Sequence, residues 1–358
     1  MSLDKESGWG KSIPVPSVQE IVRNDSQNVP ERFVKDHEDR PTEDSFFHSD
    51  FPNIPIIDFS LLIKGDAEQL NKLDFACKEL GFFQIVNHRV AEEVLSNVRA
   101  AVARFFDLSL EEKKKYSMVE NDIQGYGQLF VVSEEQKLDW NDMLFLITSP
   151  IEYRNMKYWP LGLPGFKKAV EEYSIEVQKV MEELLASLSV LMGMDKNGLK
   201  RLHGVMKQSM RMNYYPPCSQ PDLVLGLSLH SDVGTLTVIL QDGDITGLQV
   251  KYEGKWIPVK PIPDSLVVNI ADVTEVWSNG MYKSSEHRAV TNANKARMSI
   301  ATFLYPEDEA EISPVESMMQ DRPRMYRNVK QIDYARHRLG KKLDGKANIN
   351  SLKLEKRA

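Results

Sequence analysis

The second half of the chain holds three residues whose types suit a metal ion. The tripeptide His230-Ser231-Asp232 separates an imidazole from a carboxylate by one residue, and in a strand such positions project to one face. His287 is the only other histidine between His230 and the tail, so it is the candidate third ligand. Two histidines and one carboxylate on one side of a metal leave further positions open, which is typical of non-haem Fe(II) sites.

The His-x-Asp tripeptide alone is a weak signal, because so short a pattern recurs by chance. His48-Ser49-Asp50 repeats it inside a polar, charged stretch, where we interpret both side chains as solvated. The remaining histidines are given structural interpretations, with His88 in a turn or in the core. Those expected at the surface are His37, His203 and His337.

A second pair of side chains strengthens the case for the downstream tripeptide. Arg297 and Ser299 begin ten residues past His287, on a strand pattern that turns both toward one face. An arginine that points into a β-core needs an anionic partner, and the sequence assigns it no internal carboxylate. A ligand carboxylate is a reasonable partner, because arginine binds carboxylates through two parallel hydrogen bonds.

The order of these groups resembles the plant-type Fe(II)/2-oxoglutarate-dependent dioxygenases, in which His-x-Asp, a distant histidine and Arg-x-Ser follow one another. Residues 212–218, Met-Asn-Tyr-Tyr-Pro-Pro-Cys, are similar to the family motif Asn-Tyr-Tyr-Pro-x-Cys. Other segments that resemble the family are 75–84, 125–127, 254–259, 278–280 and 342–346. The resemblance covers residues 53–310 and most of the tail, and it looks closest to the branch of senescence-related proteins, anthocyanidin synthase-like enzymes and alkaloid O-demethylases.

The resemblance implies a role for each matching residue. The residues that would hold Fe(II) are His230, Asp232 and His287. Those that would bind 2-oxoglutarate are Arg297 and Ser299 at its distal carboxylate, with Tyr215 and Asn213 beside it. Those that would line the substrate pocket are Met143, Phe145, Arg211, Phe303 and Tyr305. For Met143, Phe145 and Phe303, a purely structural place in the core fits equally well.

By the same resemblance, 2-oxoglutarate and O₂ are the cosubstrates, succinate and CO₂ are released, and ascorbate supports activity. The substrate is expected to be a small, polycyclic or phenolic specialised metabolite that is hydroxylated, O-demethylated or desaturated. Two alternatives stay open. One is an iron oxidase on the same fold that does not consume 2-oxoglutarate, and the other is a non-catalytic small-molecule binder. The complete set of three metal ligands disfavours the binder.

Hydrophobic spacing predicts helices in the first half of the chain. Apolar residues recur at helical intervals over 70–80, 94–105 and 167–191, and Gly81 supplies a stop before a strand at 82–86. After Met210, short strands alternate with turn residues, which indicates a sandwich or barrel. These strands are predicted at 211–215, 235–240, 247–251, 256–258, 265–270, 289–291 and 297–304. A last helix at 325–338 is expected to pack outside them.

The expected fold is α+β, with a helical N-terminal region, a β-core and a C-terminal helix. The resemblance makes the core a double-stranded β-helix, which is a jelly-roll variant. The expected division is 1–52 as an N-terminal extension, 53–205 as a helical region, 206–310 as the oxygenase β-core and 311–358 as a C-terminal helical tail.

Composition narrows the class of partners. The 358 residues are 42% hydrophobic and 27% charged, which is globular composition. A net charge of −7 without a long basic run disfavours nucleic acid. No apolar stretch is long enough to span a membrane, and the polar N-terminus does not resemble a signal peptide. Two cysteines without metal-type spacing favour a reducing, cytoplasmic location, and we expect a monomer.

One position departs from the family pattern. Asn87-His88-Arg89 stands where the family usually has Asn-His-Gly after the second strand. If this turn requires a positive φ, an arginine there costs about 1 kcal/mol relative to glycine. The departure concerns the local backbone and leaves the metal residues untouched.

Overall fold

The computed structural model describes residues 12–41 and 53–354. Most of its helices precede the β-rich part, as the hydrophobic spacing predicts. In chain order the α-helices are α1 (Val18–Asn24), α2 (Phe59–Leu62), α3 (Ala67–Glu79), α4 (Glu92–Asp107), α5 (Leu110–Lys114), α6 (Phe166–Leu191), α7 (Gly198–His203), α8 (Asp272–Trp277), α9 (Gln331–Leu339) and α10 (Ala347–Asn350). Among these described segments, no helix combines the length and the apolar character needed to cross a membrane.

The strands build a large sheet, a small sheet and a short separate pair. In chain order they are β1 (Ile56–Asp58), β2 (Phe82–Val86), β3 (Gly125–Gly127), β4 (Asp142–Ser149), β5 (Lys207–Tyr215), β6 (Leu227–His230), β7 (Leu236–Gln241), β8 (Leu248–Tyr252), β9 (Lys255–Pro258), β10 (Leu266–Ile270), β11 (His287–Ala289), β12 (Arg297–Tyr305), β13 (Glu311–Ile312) and β14 (Val329–Lys330). The large sheet has the order β1-β2-β10-β7-β12-β5-β4-β3, and the small sheet has the order β6-β11-β8-β9. β1 pairs with β2 in parallel, and the other pairings in both sheets are antiparallel.

The two sheets pack against each other through their inner faces. Ile239, Val267 and Ala301 of the large sheet join Leu248 and Val250 of the small sheet in one buried apolar cluster. Two antiparallel sheets whose inner side chains interdigitate form the core of a jelly roll. The expected α+β fold with a jelly-roll core is therefore confirmed.

Helix α6 covers the outer face of the large sheet. The residues predicted for its inner face are all buried, and they are Val170, Tyr173, Val177, Val180, Met181, Leu184 and Leu188. This face contacts α4 and the strands β4, β7 and β12 within the main core. Burial of each large aliphatic side chain contributes roughly 1.5–3 kcal/mol, so the helix fixes the sheet that carries much of the site.

Two elements close to the site, β4 and α8, were not predicted from hydrophobic spacing. β4 is buried along almost its whole length, so it lacks the alternation by which a half-exposed strand is recognised. α8 has six residues, which is too short for a helical period to emerge. The strand expected at 289–291 lies at His287–Ala289 instead. The helix expected at 325–338 is α9, which begins at Gln331, six residues later than expected, and the short α10 follows it.

The turn after β2 does use the left-handed backbone conformation. Arg89 has φ +66° and Asn87 has φ +54°. The Arg89 side chain is exposed, and its Nε lies 3.4 Å from the Ser60 hydroxyl, which is a long contact of little energy. The departure from the family glycine is therefore accommodated by a strained residue and not by a remodelled turn.

We predict that Arg89→Gly raises the free energy of unfolding by up to about 1 kcal/mol, because glycine adopts positive φ without strain. Arg89→Ala is the control, since it removes the same side chain but keeps the strained Cβ, and it should give no gain. Urea unfolding of both variants measures the effect. A loss of turnover at normal stability in Arg89→Gly would reveal a functional role for the arginine.

Candidate metal and cosubstrate site

The three predicted metal-binding side chains converge in the structure. The ligand atoms of His230, Asp232 and His287 all lie within 4.8 Å of one another, and all three residues are buried. Nε2 of His230 is 3.6 Å from Oδ1 of Asp232, and Nε2 of His287 is 3.7 Å from the same oxygen. One ion at about 2.1 Å from each atom can span such distances. The donor set fits Fe(II), whose sites combine two imidazoles with a carboxylate.

Pairing of β6 with β11 brings the two histidines together. His230 ends β6, His287 begins β11, and the two residues are partners in the antiparallel register. The expectation that Asp232 shares a strand with His230 was wrong, because β6 stops at His230 and the aspartate lies beyond it. A backbone hydrogen bond of 2.8 Å from the Asp272 N–H to the Asp232 carbonyl holds this turn instead.

Each imidazole is oriented through the ring nitrogen that faces away from the cluster. Nδ1 of His230 is 2.8 Å from the Ser228 carbonyl oxygen, and Nδ1 of His287 is 3.1 Å from that of Ser285. A carbonyl only accepts, so Nδ1 carries a proton in both rings, and Nε2 is the nitrogen that faces Asp232. Burial, followed by the neighbouring His287, lowers the pKa of His230 well below its ordinary value, so this imidazole is neutral at pH 7.

The Asp232 carboxylate is held by hydrogen bonds on the oxygen opposite the histidines. Oδ2 accepts from the Thr237 hydroxyl at 2.6 Å and from the Asn269 side-chain amide at 2.8 Å. Burial by itself raises the pKa of Asp232, but the two histidines and these hydrogen bonds outweigh it and leave the pKa below its usual value. Oδ1 is therefore presented to the cluster as an oriented anion.

The remaining histidines take structural places. His88 is buried, and its Nδ1 accepts a hydrogen bond of 3.2 Å from the Val90 N–H, as a turn histidine does. The expectation of a surface position was wrong for His203, which is fully buried with Nε2 2.9 Å from the Thr235 hydroxyl. His37 and His337 are exposed as expected, and His48-Ser49-Asp50 lies outside the described residues.

A small cavity of about 40 Å³, here called the inner cavity, adjoins the metal cluster. All four residues expected at the cosubstrate line it, namely Asn213, Tyr215, Arg297 and Ser299. The register of β5 with β12 brings them together, since Arg297 lies opposite Tyr215 and Ser299 lies opposite Asn213. The Asn213 amide donates to the Ser299 hydroxyl at 3.3 Å. The inner cavity is thus polar on the wall made by these two strands.

Arg297 is buried in this cavity with its charge unpaired. One terminal N–H donates to the Gln241 amide oxygen at 2.9 Å, and the guanidinium lies 5.3 Å from the Tyr215 ring centre. The Nε atom has no hydrogen-bond partner, and within the described ranges no carboxylate lies within 4.0 Å. Burial lowers the pKa of Arg297, although it remains a cation. A buried guanidinium with an orphaned N–H fits the carboxylate of a bound 2-oxoglutarate.

Two residues around Arg297 were missed by the sequence analysis. Gln241, at the end of β7, accepts the hydrogen bond that sets the rotation of the guanidinium. Gly247 packs beneath the arginine stem, and a Cβ added there would lie 2.7 Å from Cδ of Arg297. A glycine beside a strand has many explanations, so no pattern in the sequence would have singled it out.

A larger cavity of about 160 Å³, here called the outer cavity, opens beside the same metal cluster. It shares Arg211, His230, Asp232 and Phe303 with the inner cavity, so the cluster lies where the two cavities meet. The outer cavity is the larger space from which a second molecule could reach a metal held by these residues.

Four of the five residues expected in the substrate pocket line the outer cavity. They are Phe145, Arg211, Phe303 and Tyr305. The rings of the three aromatic residues form a wall, with 6.4 Å between the centres of Phe145 and Phe303 and 6.2 Å between those of Phe303 and Tyr305. Met143 is fully buried opposite Asn213 in the β4–β5 register and is not among the residues that line either cavity.

The sequence analysis missed the wall that α9 contributes to the outer cavity. The helix supplies four lining residues, Gln331, Ala335, Arg338 and Leu339. They recur at i, i+4, i+7 and i+8, which is one face of a helix. That spacing was present in the sequence, but the helix was expected only to pack outside the strands.

Helix α9 and the segment after it are tied to the backbone around the metal cluster. The Tyr334 hydroxyl donates to the buried Asp272 carboxylate at 2.6 Å, and burial raises the pKa of Asp272 to about 6. Gly345 extends the small sheet, because its N–H donates to the Leu229 carbonyl at 3.2 Å and its carbonyl accepts from the Ser231 N–H at 3.3 Å. The outer cavity is therefore closed on one side by chain that follows the β-core.

Comparisons with known proteins agree with this geometry. A family model for the 2OG-Fe(II) oxygenase superfamily matches residues 206–306, and one for the non-haem dioxygenase in morphine synthesis N-terminal region matches residues 54–162. Protein SRG1 of Arabidopsis thaliana is 43% identical, with 98% of this chain and 99% of that protein covered. Codeine O-demethylase of Papaver somniferum is 37% identical, with 96% and 98% covered. The crystal structure of JOX2 in complex with 2OG, Fe and JA superposes with a TM-score of 0.88 at 32% identity, covering 97% of this chain and 100% of that chain. The chain belongs to the 2OG-Fe(II) oxygenase superfamily and is a plant-type 2-oxoglutarate-dependent dioxygenase.

Proposed function

We propose that this dioxygenase hydroxylates, O-demethylates or desaturates a small, polycyclic or phenolic specialised metabolite in the outer cavity. The observation that carries the proposal is the position of the metal cluster, which lies at the junction of a polar inner cavity and a largely apolar outer one. A cosubstrate and a substrate can then approach one ion from different sides. In this reaction class, 2-oxoglutarate and O₂ are consumed, and succinate and CO₂ are released.

His230, Asp232 and His287 are the proposed ligands of Fe(II). The bound ion supplies the activation of O₂ that is coupled to oxidation of 2-oxoglutarate. The protein contributes two oriented imidazoles and one oriented carboxylate, and the His230 imidazole is already neutral. Thr237 and Asn269 hold the carboxylate in place from the far side.

Arg297 and Ser299 are the proposed partners of the distal carboxylate of 2-oxoglutarate, with Tyr215 and Asn213 beside them. The orphaned Nε of Arg297 supports this assignment, because a buried donor without a partner costs roughly 1–3 kcal/mol until a ligand satisfies it. The Tyr215 ring packs against the guanidinium and keeps its plane fixed.

Phe145, Arg211, Phe303 and Tyr305 are the proposed contacts of the substrate. The tilted rings of Phe145, Phe303 and Tyr305 support a flat, ring-containing molecule, which offers them apolar faces. Met143 supports this wall from within the sheet. The relative named codeine O-demethylase supports demethylation as one possible outcome for such a molecule.

We also propose that the enzyme is a cytoplasmic monomer whose activity ascorbate supports. Cys77 and Cys218 are both buried and unpaired, which supports a reducing compartment. Sedimentation of the purified chain tests the monomer, and omission of ascorbate from the assay tests its contribution.

Substrate identity is tested by following succinate release over a panel of ring-containing metabolites, with mass spectrometry of the products. A gain of one oxygen marks hydroxylation, loss of CH₂ marks demethylation and loss of two hydrogens marks desaturation. If no compound of the panel increases the rate of succinate formation, the result opposes the proposed substrate class.

We predict that Asp232→Ala removes most Fe(II) binding and lowers turnover by more than about 100-fold, because it deletes the anionic ligand. The fold should survive, as checked by circular dichroism, since Thr237 and Asn269 can bind water instead. Asp50→Ala, in the upstream copy of the tripeptide, is the matched control and should leave iron content and turnover unchanged. The reverse pattern would show that the wrong tripeptide was chosen.

We predict that Arg297→Lys raises the KM for 2-oxoglutarate about tenfold or more, because lysine keeps the charge but loses the planar fork. Arg297→Ala should be worse, since the distal carboxylate would be buried without a counter-charge. Equilibrium Fe(II) affinity should change little in both variants, because the guanidinium is not a metal ligand. An unchanged KM in Arg297→Ala would place the carboxylate elsewhere.

We predict that Gly247→Ala raises the KM for 2-oxoglutarate by roughly fivefold, because the new methyl displaces the Arg297 stem at a cost of about 1 kcal/mol. Gly340→Ala is the matched control, since a Cβ there meets its nearest neighbour, the Arg336 carbonyl oxygen, at an ordinary 3.6 Å. Steady-state kinetics with varied 2-oxoglutarate measure both. Equal KM values for the wild type and Gly247→Ala would mean that Arg297 can shift without weakening the binding of 2-oxoglutarate.

A further inference from the structure

Two buried guanidinium groups line the outer cavity. Arg211 of β5 is 6% exposed and Arg338 of α9 is 4% exposed, and both side chains contribute to the cavity wall. The two residues come from opposite parts of the fold, the large sheet and the helix that follows the β-core. Burying a cation costs free energy unless an anion compensates its charge, so we expect each arginine to have an anionic partner.

Neither arginine has a carboxylate partner in the part of the chain that the structure describes. Nε of Arg211 donates to the Asn213 side-chain oxygen at 2.8 Å, and one terminal N–H of Arg338 donates to the Lys342 carbonyl at 3.1 Å. No carboxylate of these residues lies within 4.0 Å of either guanidinium. Neutral oxygens satisfy one N–H in each group, and the remaining donors face a cavity.

The nearby acidic groups already have other partners. Asp232 belongs to the metal cluster, Asp272 accepts from two hydroxyl groups, and Asp139 pairs with Lys35 at 2.8 Å. Without contact, Asp272 attracts Arg338 at longer range, and Asp232 and Asp344 add smaller attractions. The other cation of the cavity wall, Lys207, is paired with Asp308 at 2.6 Å and so adds no net charge. Among the described residues, Arg211 and Arg338 are therefore the cations of the outer cavity wall that have no carboxylate in contact.

Arg338 also contacts an aromatic ring. Its guanidinium carbon lies 4.8 Å from the centre of the Phe130 ring, which is a cation–π contact. Phe130 has φ +68°, an unusual backbone for a residue with a large side chain. Strain of this kind clusters at ligand sites, where the surrounding structure enforces it.

Most of the remaining surface of the outer cavity is apolar. Its other lining residues include Ile123, Leu129, Phe145, Ile147, Phe303 and Leu339. A ligand that matches the whole wall therefore combines an apolar body with one anionic group. A carboxylate suits two planar guanidinium groups best, because its two oxygens can each accept from a different fork.

We propose that the substrate is an apolar carboxylic acid whose carboxylate is bound between Arg211 and Arg338. This inference rests on the proposed function of the outer cavity and narrows its substrate class. The two arginines then fix the acid end, and the apolar body lies against the aromatic wall beside the metal cluster. Oxidation takes place on a carbon of that body, at a distance from the carboxylate that the substrate itself sets.

The test compares acids with neutral molecules of the same shape. The full chain is loaded anaerobically with Fe(II) and 2-oxoglutarate, and calorimetry follows the binding of 4-phenylbutyrate, 2-naphthylacetate and biphenyl-4-acetate, each beside its primary amide. We expect at least one acid to bind about tenfold or more tightly than its amide, since a charged hydrogen-bond pair contributes at least that factor.

Variants locate the preference. Arg338→Gln should remove most of the acid-over-amide preference while leaving amide binding and the affinities for Fe(II) and 2-oxoglutarate unchanged, which shows that the cavity is intact. Arg336→Gln, on the same helix but outside the cavity lining, is the matched control and should keep the preference. Arg211→Gln should also remove the preference, and its 2-oxoglutarate affinity is measured separately, because Arg211 lines both cavities.

The proposal is overturned if no acid binds more tightly than its amide, or if Arg338→Gln keeps the preference. Either result leaves the proposed oxygenase site standing, provided that the wild type takes up Fe(II) and 2-oxoglutarate. A wild type that does not take up Fe(II) and 2-oxoglutarate would instead oppose the proposed oxygenase site. The binding of acids and amides would then still be compared on the chain without Fe(II) and 2-oxoglutarate.

Discussion

The pairing of β5 with β12 over nine residues is the constraint on which the site depends. It places Arg297 opposite Tyr215 and Ser299 opposite Asn213, and it continues to Phe303 and Tyr305 at the other end. Because side chains alternate along a strand, a slip of one residue would turn the polar cosubstrate wall away from the inner cavity. The same slip would remove the aromatic wall from the outer cavity. One register therefore serves both cavities, and α6 maintains it by packing on the outer face of this sheet.

Buried charge explains much of what surrounds these strands. Asp232 is ionised in a buried site because Thr237, Asn269 and the two histidines face it. Arg297 is buried with one N–H unsatisfied, so an anion that accepts from this N–H would lower the free energy of the folded chain. Hydrogen bonds within the chain hold both the Asp232 carboxylate and the Arg297 guanidinium in their orientations.

Sequence spacing was enough to predict the long helices and a sandwich or barrel, and the family resemblance added the jelly-roll class and the grouping of His230, Asp232 and His287. It worked because amphipathic helices and half-exposed strands carry a period, and because a rare combination of residue types marks a metal site. It failed for β4, which is buried on both faces and so shows no alternation. It also misjudged Asp232, whose position is set by a backbone hydrogen bond from Asp272, forty residues later in the chain. Contacts of that kind leave no local pattern.

The lining residues of α9 lie at Gln331, Ala335, Arg338 and Leu339, all on one face of a nine-residue helix. Successive residues of a helix are rotated by about 100°, so an insertion or deletion inside α9 would turn part of this face toward the exterior. A length change in the loop before β14 would leave the face intact. Substitutions on α9 also alter the outer cavity without touching β5, β12 or the metal residues. Part of the cavity wall is therefore encoded in a stretch of the gene that is separate from the strands of the site, and a few codons of one short helix can change the shape of the outer cavity.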